Sequence, residues 1–111
     1  MLPQKKKIIT CYEELLRLSS LMCEAARSGN WDTLCVLQSG YVTQVGTLKS
    51  IDDVALLTAE ERRYRYRMLE TILSQDAAIR NLVTPKMEEL GYLLNNSRRR
   101  QELHHTYGSP A

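Results

Sequence analysis

From Thr58 to about Arg100 the sequence repeats apolar residues at steps of three and four. This run constrains the fold more than any other feature. Leu69, Ile72, Ile79, Val83, Met87, Leu90 and Leu94 fall on one face of a helix. A straight helix of roughly forty residues is about 60 Å long. Thr58-Ala59-Glu60-Glu61 opens it as a capping box, with Thr58 at the N-cap and Glu61 at N3. Pro85 removes one helical hydrogen bond and crowds the preceding turn, which predicts a kink. The apolar step continues across it and no glycine or asparagine loop follows. One kinked helix therefore fits better than two joined at Thr84–Pro85. Asp76 interrupts the seam, and Arg80, four residues on, is its simplest partner. The alternative is a polar specificity group inside a binding groove.

Two shorter helices precede the long one. Ile8, Tyr12, Leu15, Ser19, Met22 and Ala26 alternate with Glu13, Arg17, Ser20, Glu24 and Arg27, one set on each face. Ile9, Leu16 and Cys23 widen the apolar side beyond a coiled-coil seam. Gly29 suits the left-handed residue that ends a helix, and Asn30 is the N-cap of the next. That second helix carries Trp31, Leu34, Leu37, Tyr41, Val45 and Leu48. Gly40 and Gly46 lie inside it, each at a cost of about 1 kcal/mol against alanine. Either a neighbour packs close to them or the helix is loosely held. The expected fold is all-α: an antiparallel bundle of three main helices, about 4–28, 30–49 and 58–103, in a single domain spanning 1–111. The third is long and kinked near Pro85, and a short tail with Gly108 and Pro110 follows it.

Composition fits an ordinary folded chain: 111 residues, 43% hydrophobic and 25% charged. The net charge of +2 balances fifteen basic against thirteen acidic residues, which speaks against a dedicated nucleic-acid domain. Cys11, Cys23 and Cys35 include no CxxC pair, so they read as reduced thiols in the core. No apolar run approaches the roughly 20 residues that span a bilayer, and no secretory signal is visible. A cytoplasmic protein is expected, without membrane insertion.

No constellation for catalysis is visible. His104 and His105 are adjacent, about 100° apart on a helix, and cannot chelate one metal as an i, i+4 pair could. Glu88 and Glu89, like Asp52 and Asp53, read as solvated acids. No glycine-rich phosphate loop, GxSxG or HExxH occurs. Neither enzyme activity nor a cofactor or metal is expected. In Glu60–Leu69, "EERRYRYRML", four arginines interleave with two tyrosines. Arg63 and Arg67 face away from the seam, and Arg62 and Arg65 lie near it. Glu61 can pair with Arg65. Tyr64 and Tyr66 face different sides, so they make no single stacking platform. Arg98, Arg99 and Arg100 suit a helix C-terminus. A basic helical nucleic-acid-binding protein is the alternative function, but direct nucleic-acid contact is not expected.

Past Pro85, Met87, Leu90, Leu93 and Leu94 have no evident cover within the chain, because the shorter helices offer stripes of only about 20 residues. Another polypeptide is expected to cover them. The candidate protein-binding surface is Tyr41, Val45, Leu69, Ile72, Asp76, Ile79, Val83, Met87, Leu90 and Leu94. A homodimer burying the same surface is the structural alternative.

"GNWDTL" at Gly29–Leu34, "ILSQDAAIRNLVTPKMEEL" at Ile72–Leu90 and Tyr107-Gly108 resemble the flagellar export chaperone FliT family of enterobacteria. The resemblance covers about residues 8 to 108 and rests on helix-packing positions, with Trp31-Asp32 in the interhelical corner its strongest part. It implies a cytosolic chaperone for the filament-cap protein FliD, holding the C-terminal part of the cap protein before export. It further implies contact with the export ATPase and export gate. Binding to the FlhDC activator, lowering flagellar gene expression, is implied too. Relatives continue past the Tyr-Gly pair with an apolar helix that covers the binding surface. Only Ser109, Pro110 and Ala111 follow here, so a more open surface, or one covered by a second subunit, is expected.

Overall fold

In the computed structural model, which describes residues 3–106 and side chains as far as residue 91, the chain is built from helices. The order is α1 (Gln4–Ser28), α2 (Trp31–Ile51), a single 3₁₀ turn (Val54–Leu56) and α3 (Ala59–Thr106). Pro85 lies inside α3, which runs on unbroken through it. Packing divides the chain into two compact units, one up to Arg80 and one from Asn81 onward.

Local chemistry sets each boundary. Gly29 takes the left-handed conformation, φ 72°, and closes α1 with a paired cap. Its N–H donates to Ala26 O at 3.2 Å, and the Asn30 N–H donates to Ala25 O at 2.8 Å. Asn30 serves both neighbours, since its side chain accepts from the Thr33 N–H at 3.3 Å and caps α2. Asp53 accepts from the Ala55 N–H at 3.1 Å and starts the 3₁₀ turn. The expected capping box of α3 is complete: Thr58 N–H donates to Glu61 Oε1 at 2.9 Å, and Glu61 N–H to Thr58 Oγ1 at 3.1 Å.

Within the first unit, α1 is the central helix. Its whole expected stripe of Ile8, Tyr12, Leu15, Ser19, Met22 and Ala26 is buried. Leu57, Met68 and Ile72 close the core over Ile8, Tyr12 and Leu15, with Tyr41, Val45, Leu48 and Leu69 packed at its edge. Two polar clasps lock α1 to α3. Ser19 donates to the Gln75 side-chain oxygen, and Gln75 Nε2 donates to Ser20 Oγ at 3.0 Å. At the other clasp the Tyr12 hydroxyl donates to Asp52 Oδ2 at 3.0 Å. Arg65 grips the same carboxylate through two N–H groups, at 3.3 and 2.9 Å. The Arg65 guanidinium also lies 5.0 Å from the centre of the Tyr12 ring. Asp52 is therefore not a solvated acid. It ties the α2–α3 connection to α1 and to α3. Arg65 pairs with Asp52 rather than with Glu61, because the Glu61 carboxylate is engaged in its own cap.

On α2 only Leu34 is buried among all its residues. Cys11 and Cys23 sit in the core, but Cys35 is exposed, contrary to the core placement expected for all three. Neither glycine of α2 is explained by a close neighbour. A methyl at Gly40 would meet Leu18 at an ordinary 3.9 Å, and one at Gly46 would meet nothing within 4 Å. Gly46→Ala is accordingly expected to raise stability by about 1 kcal/mol in urea unfolding. A loss of stability would mean that backbone exposure at Gly46 is required by a contact outside this bundle.

Candidate protein-binding surface

The long apolar stripe of α3 changes character along its length. Met68 and Ile72 are 3% exposed and Ile79 is 8% exposed, all locked in the bundle. Leu69 is half-buried against the same core, as are Tyr41 and Val45 from α2. Val83, one helical step beyond Ile79, is half-buried. At the following steps Met87 is 61% and Leu90 45% exposed. Leu94 and Leu93 lie outside the described side chains. The described members of the expected site therefore fall in different surroundings. Ile72 and Ile79 are interior packing residues, out of reach of a partner while the bundle is folded. Met87 and Leu90 are the open part.

Asp76 lies on the half-buried flank of the stripe. Arg80 Nε approaches its Oδ2 to 3.4 Å, the local i, i+4 partner that the spacing predicts. Burial, and after it the Asp76 carboxylate, pushes the Tyr41 phenol above its ordinary range. A phenol held protonated beside a carboxylate gives this edge of α2 and α3 a polar, uncharged donor. Beyond Arg80, Lys86 Nζ lies 3.6 Å from Glu89 Oε2. That exposed pair sits beside Met87 and Leu90 and leaves the apolar side chains open.

The expected list passes over other exposed apolar side chains. Val36 and Val42 on α2, and Leu73 and Leu82 on α3, are all solvent-facing. A signal for the α2 face is present in the sequence: no charged residue occurs between Asp32 and Lys49. Cys35, Gln38, Ser39, Val42 and Thr43 line a shallow uncharged depression there. Among the described residues, no group of three histidine, cysteine, aspartate or glutamate side chains could hold a metal ion. Burial, followed by the Asp52 and Glu14 charges, raises the Cys11 thiol pKa. Its S–H faces the Gln44 carbonyl and side-chain oxygens at 3.4 and 3.2 Å, as a core thiol rather than a nucleophile. No described helix is long and apolar enough to cross a membrane.

The family model for "Flagellar protein FliT" matches residues 9–109. This chain belongs to the FliT family. A FliT protein of Pectobacterium atrosepticum is 27% identical over 101 residues, covering 91% of this chain and 80% of the relative. One from Serratia proteamaculans is 25% identical over 105 residues, covering 95% and 86%. The crystal structure of the flagellar protein FliT from Bordetella bronchiseptica superimposes with a TM-score of 0.70 at 30% identity. It covers 78% of this chain and 97% of that one. The resemblance carried by the Trp31-Asp32 corner and the long third helix is thus a family membership, and the all-helical three-helix architecture is shared with a FliT crystal structure.

Proposed function

We propose that this FliT-family chain is a cytoplasmic export chaperone, not an enzyme, that holds the C-terminal part of the filament-cap protein FliD. The observation that carries this reading is the opening of one apolar stripe, from 3% exposure at Ile72 to 61% at Met87. Exposed methionine and leucine in helical register suit a groove or face that takes an amphipathic segment. Contact with the export ATPase and export gate follows from the same role. So does binding to FlhDC, which would lower flagellar gene expression through protein contact.

Calorimetric titration with the FliD C-terminal segment tests the reading. Met87→Asp and Leu90→Asp are each expected to weaken binding by about thirtyfold, the cost of losing a central apolar contact. Both positions are exposed, so helicity and thermal unfolding should match the parent chain. Wild-type affinity in both folded variants would rule out this face. Ile79→Asp is unsuitable for the test, because a carboxylate at that buried position would unfold the bundle.

The nucleic-acid alternative loses support from the fate of the Arg62–Arg67 run. Arg65 is committed to Asp52, Arg62 Nε donates to Val54 O at 3.1 Å, and the Tyr64 hydroxyl donates to Glu13 at 2.9 Å. Half of the run is thus engaged within the chain.

A further inference from the structure

What the run leaves over is a second surface. The side chains of Arg63, Tyr66 and Arg67 have no partner among the described hydrogen bonds and ion pairs, and with Arg62 these residues line one shallow groove. Tyr66 is 59% exposed. Leu73, seven residues on and therefore on the same side of α3, is 58% exposed. This side is turned away from the stripe that Met68, Ile72 and Ile79 bury, and it shares no residue with the surface around Met87 and Leu90. Glu60 and Glu70 are close in sequence, yet neither forms an ion pair with these arginines.

We propose that this outward face of α3, from Arg62 to Leu73, docks an acidic amphipathic helix of a partner protein. Tyr66 and Leu73 are spaced two turns apart, which matches apolar residues repeating at i and i+7 on a facing helix. The guanidinium groups of Arg63 and Arg67 flank that pair and match carboxylates beside the partner's apolar stripe. Charge complementarity decides the sign of the partner. The exposed leucine decides its class. A phosphate backbone gains nothing from Leu73, whereas a protein helix uses the leucine directly.

Fluorescence anisotropy with three labelled probes tests this. The first is a synthetic amphipathic peptide with leucines at steps of three and four, flanked by glutamates. The second replaces the glutamates with lysines. The third is a random-sequence DNA duplex. The glutamate peptide is expected to bind at least about tenfold tighter than the lysine peptide. Arg63→Glu with Arg67→Glu should remove that preference, and Leu73→Ser should weaken the glutamate peptide several-fold. Met87→Asp with Leu90→Asp should leave its binding unchanged, which separates this face from the proposed FliD site. Equal binding of the two peptides would overturn the proposal. So would loss of binding in the Met87/Leu90 variant, or DNA binding tighter than either peptide with steep salt dependence.

Discussion

Ile72→Ala is expected to cost about 3 kcal/mol of folding stability, while Leu90→Ala changes it by no more than about 0.5 kcal/mol. Both residues lie on the same stripe of the same helix, and sequence periodicity treats them alike. Their surroundings do not. Ile72 packs in the core with Ile8, Tyr12, Leu15 and Met68. Truncation there removes buried methyl groups and leaves a cavity that close-packed neighbours fill only in part. Leu90 is 45% exposed, so truncation leaves no cavity and trades one good helix former for another. Urea unfolding of both variants gives the contrast directly. A large loss for Leu90→Ala would show that the outer stripe is covered within the chain. It would remove the reason to expect a partner there.

Asp52→Ala is expected to lower stability by about 2 kcal/mol, roughly 10 °C in the unfolding midpoint. The variant strands the Arg65 guanidinium and the Tyr12 hydroxyl together. Both side chains of the ion pair keep about a fifth of their surface in water, 19% and 20%, so the loss falls below that of a fully buried pair. Asp52 also carries an acid limb. Partial burial alone pushes its carboxyl upward. The hydrogen bonds from Arg65 and Tyr12, and the Arg65 charge, outweigh that and hold it below the ordinary aspartate range. A depressed folded pKa gives stability that is complete above the unfolded value of about 3.9 and is lost as pH falls through the folded one. Asp52→Asn should therefore flatten the decline of stability below about pH 4. On the alkaline side, burial and then the Asp52 hydrogen bond push the Tyr12 phenol from 10.0 up to about 12. Its contribution is present below the unfolded value and disappears as pH rises through the folded one. Tyr12→Phe should remove that alkaline limb. Unchanged acid and alkaline profiles in these variants would show that the clasp does not hold the helices.

How legible the fold was varied with the range of the interaction. The α1 stripe, the Gly29 and Asn30 caps, the Thr58–Glu61 box and the Asp76–Arg80 pair all depend on residues a few positions apart. Periodicity and local chemistry reach that far. The Tyr12–Asp52–Arg65 clasp does not, because Asp52 looks like any loop acid until the chain folds and brings α1 and α3 to it. Arg65 had a near candidate in Glu61 and a distant one in Asp52, and the capping box removed the near one. The candidate site failed to separate for a related reason. A helical repeat shows which side of a helix is apolar, but not how far its cover extends. Ile72, Ile79, Met87 and Leu90 therefore looked equivalent, although two are interior and two are open. Cys35 shows the same limit on α2, where one turn placed an apolar-looking thiol in solvent.

Methionine methyl NMR tests, without altering the protein, whether the open part of the α3 stripe meets another polypeptide. Met22 and Met68 are buried at 6% and 3% exposure, while Met87 is 61% exposed, so the chain carries its own controls. On addition of the FliD C-terminal segment, the Met87 methyl resonance should shift or broaden while those of Met22 and Met68 stay in place. A bound segment that leaves the Met87 methyl untouched would show that the partner binds elsewhere than on the open stripe.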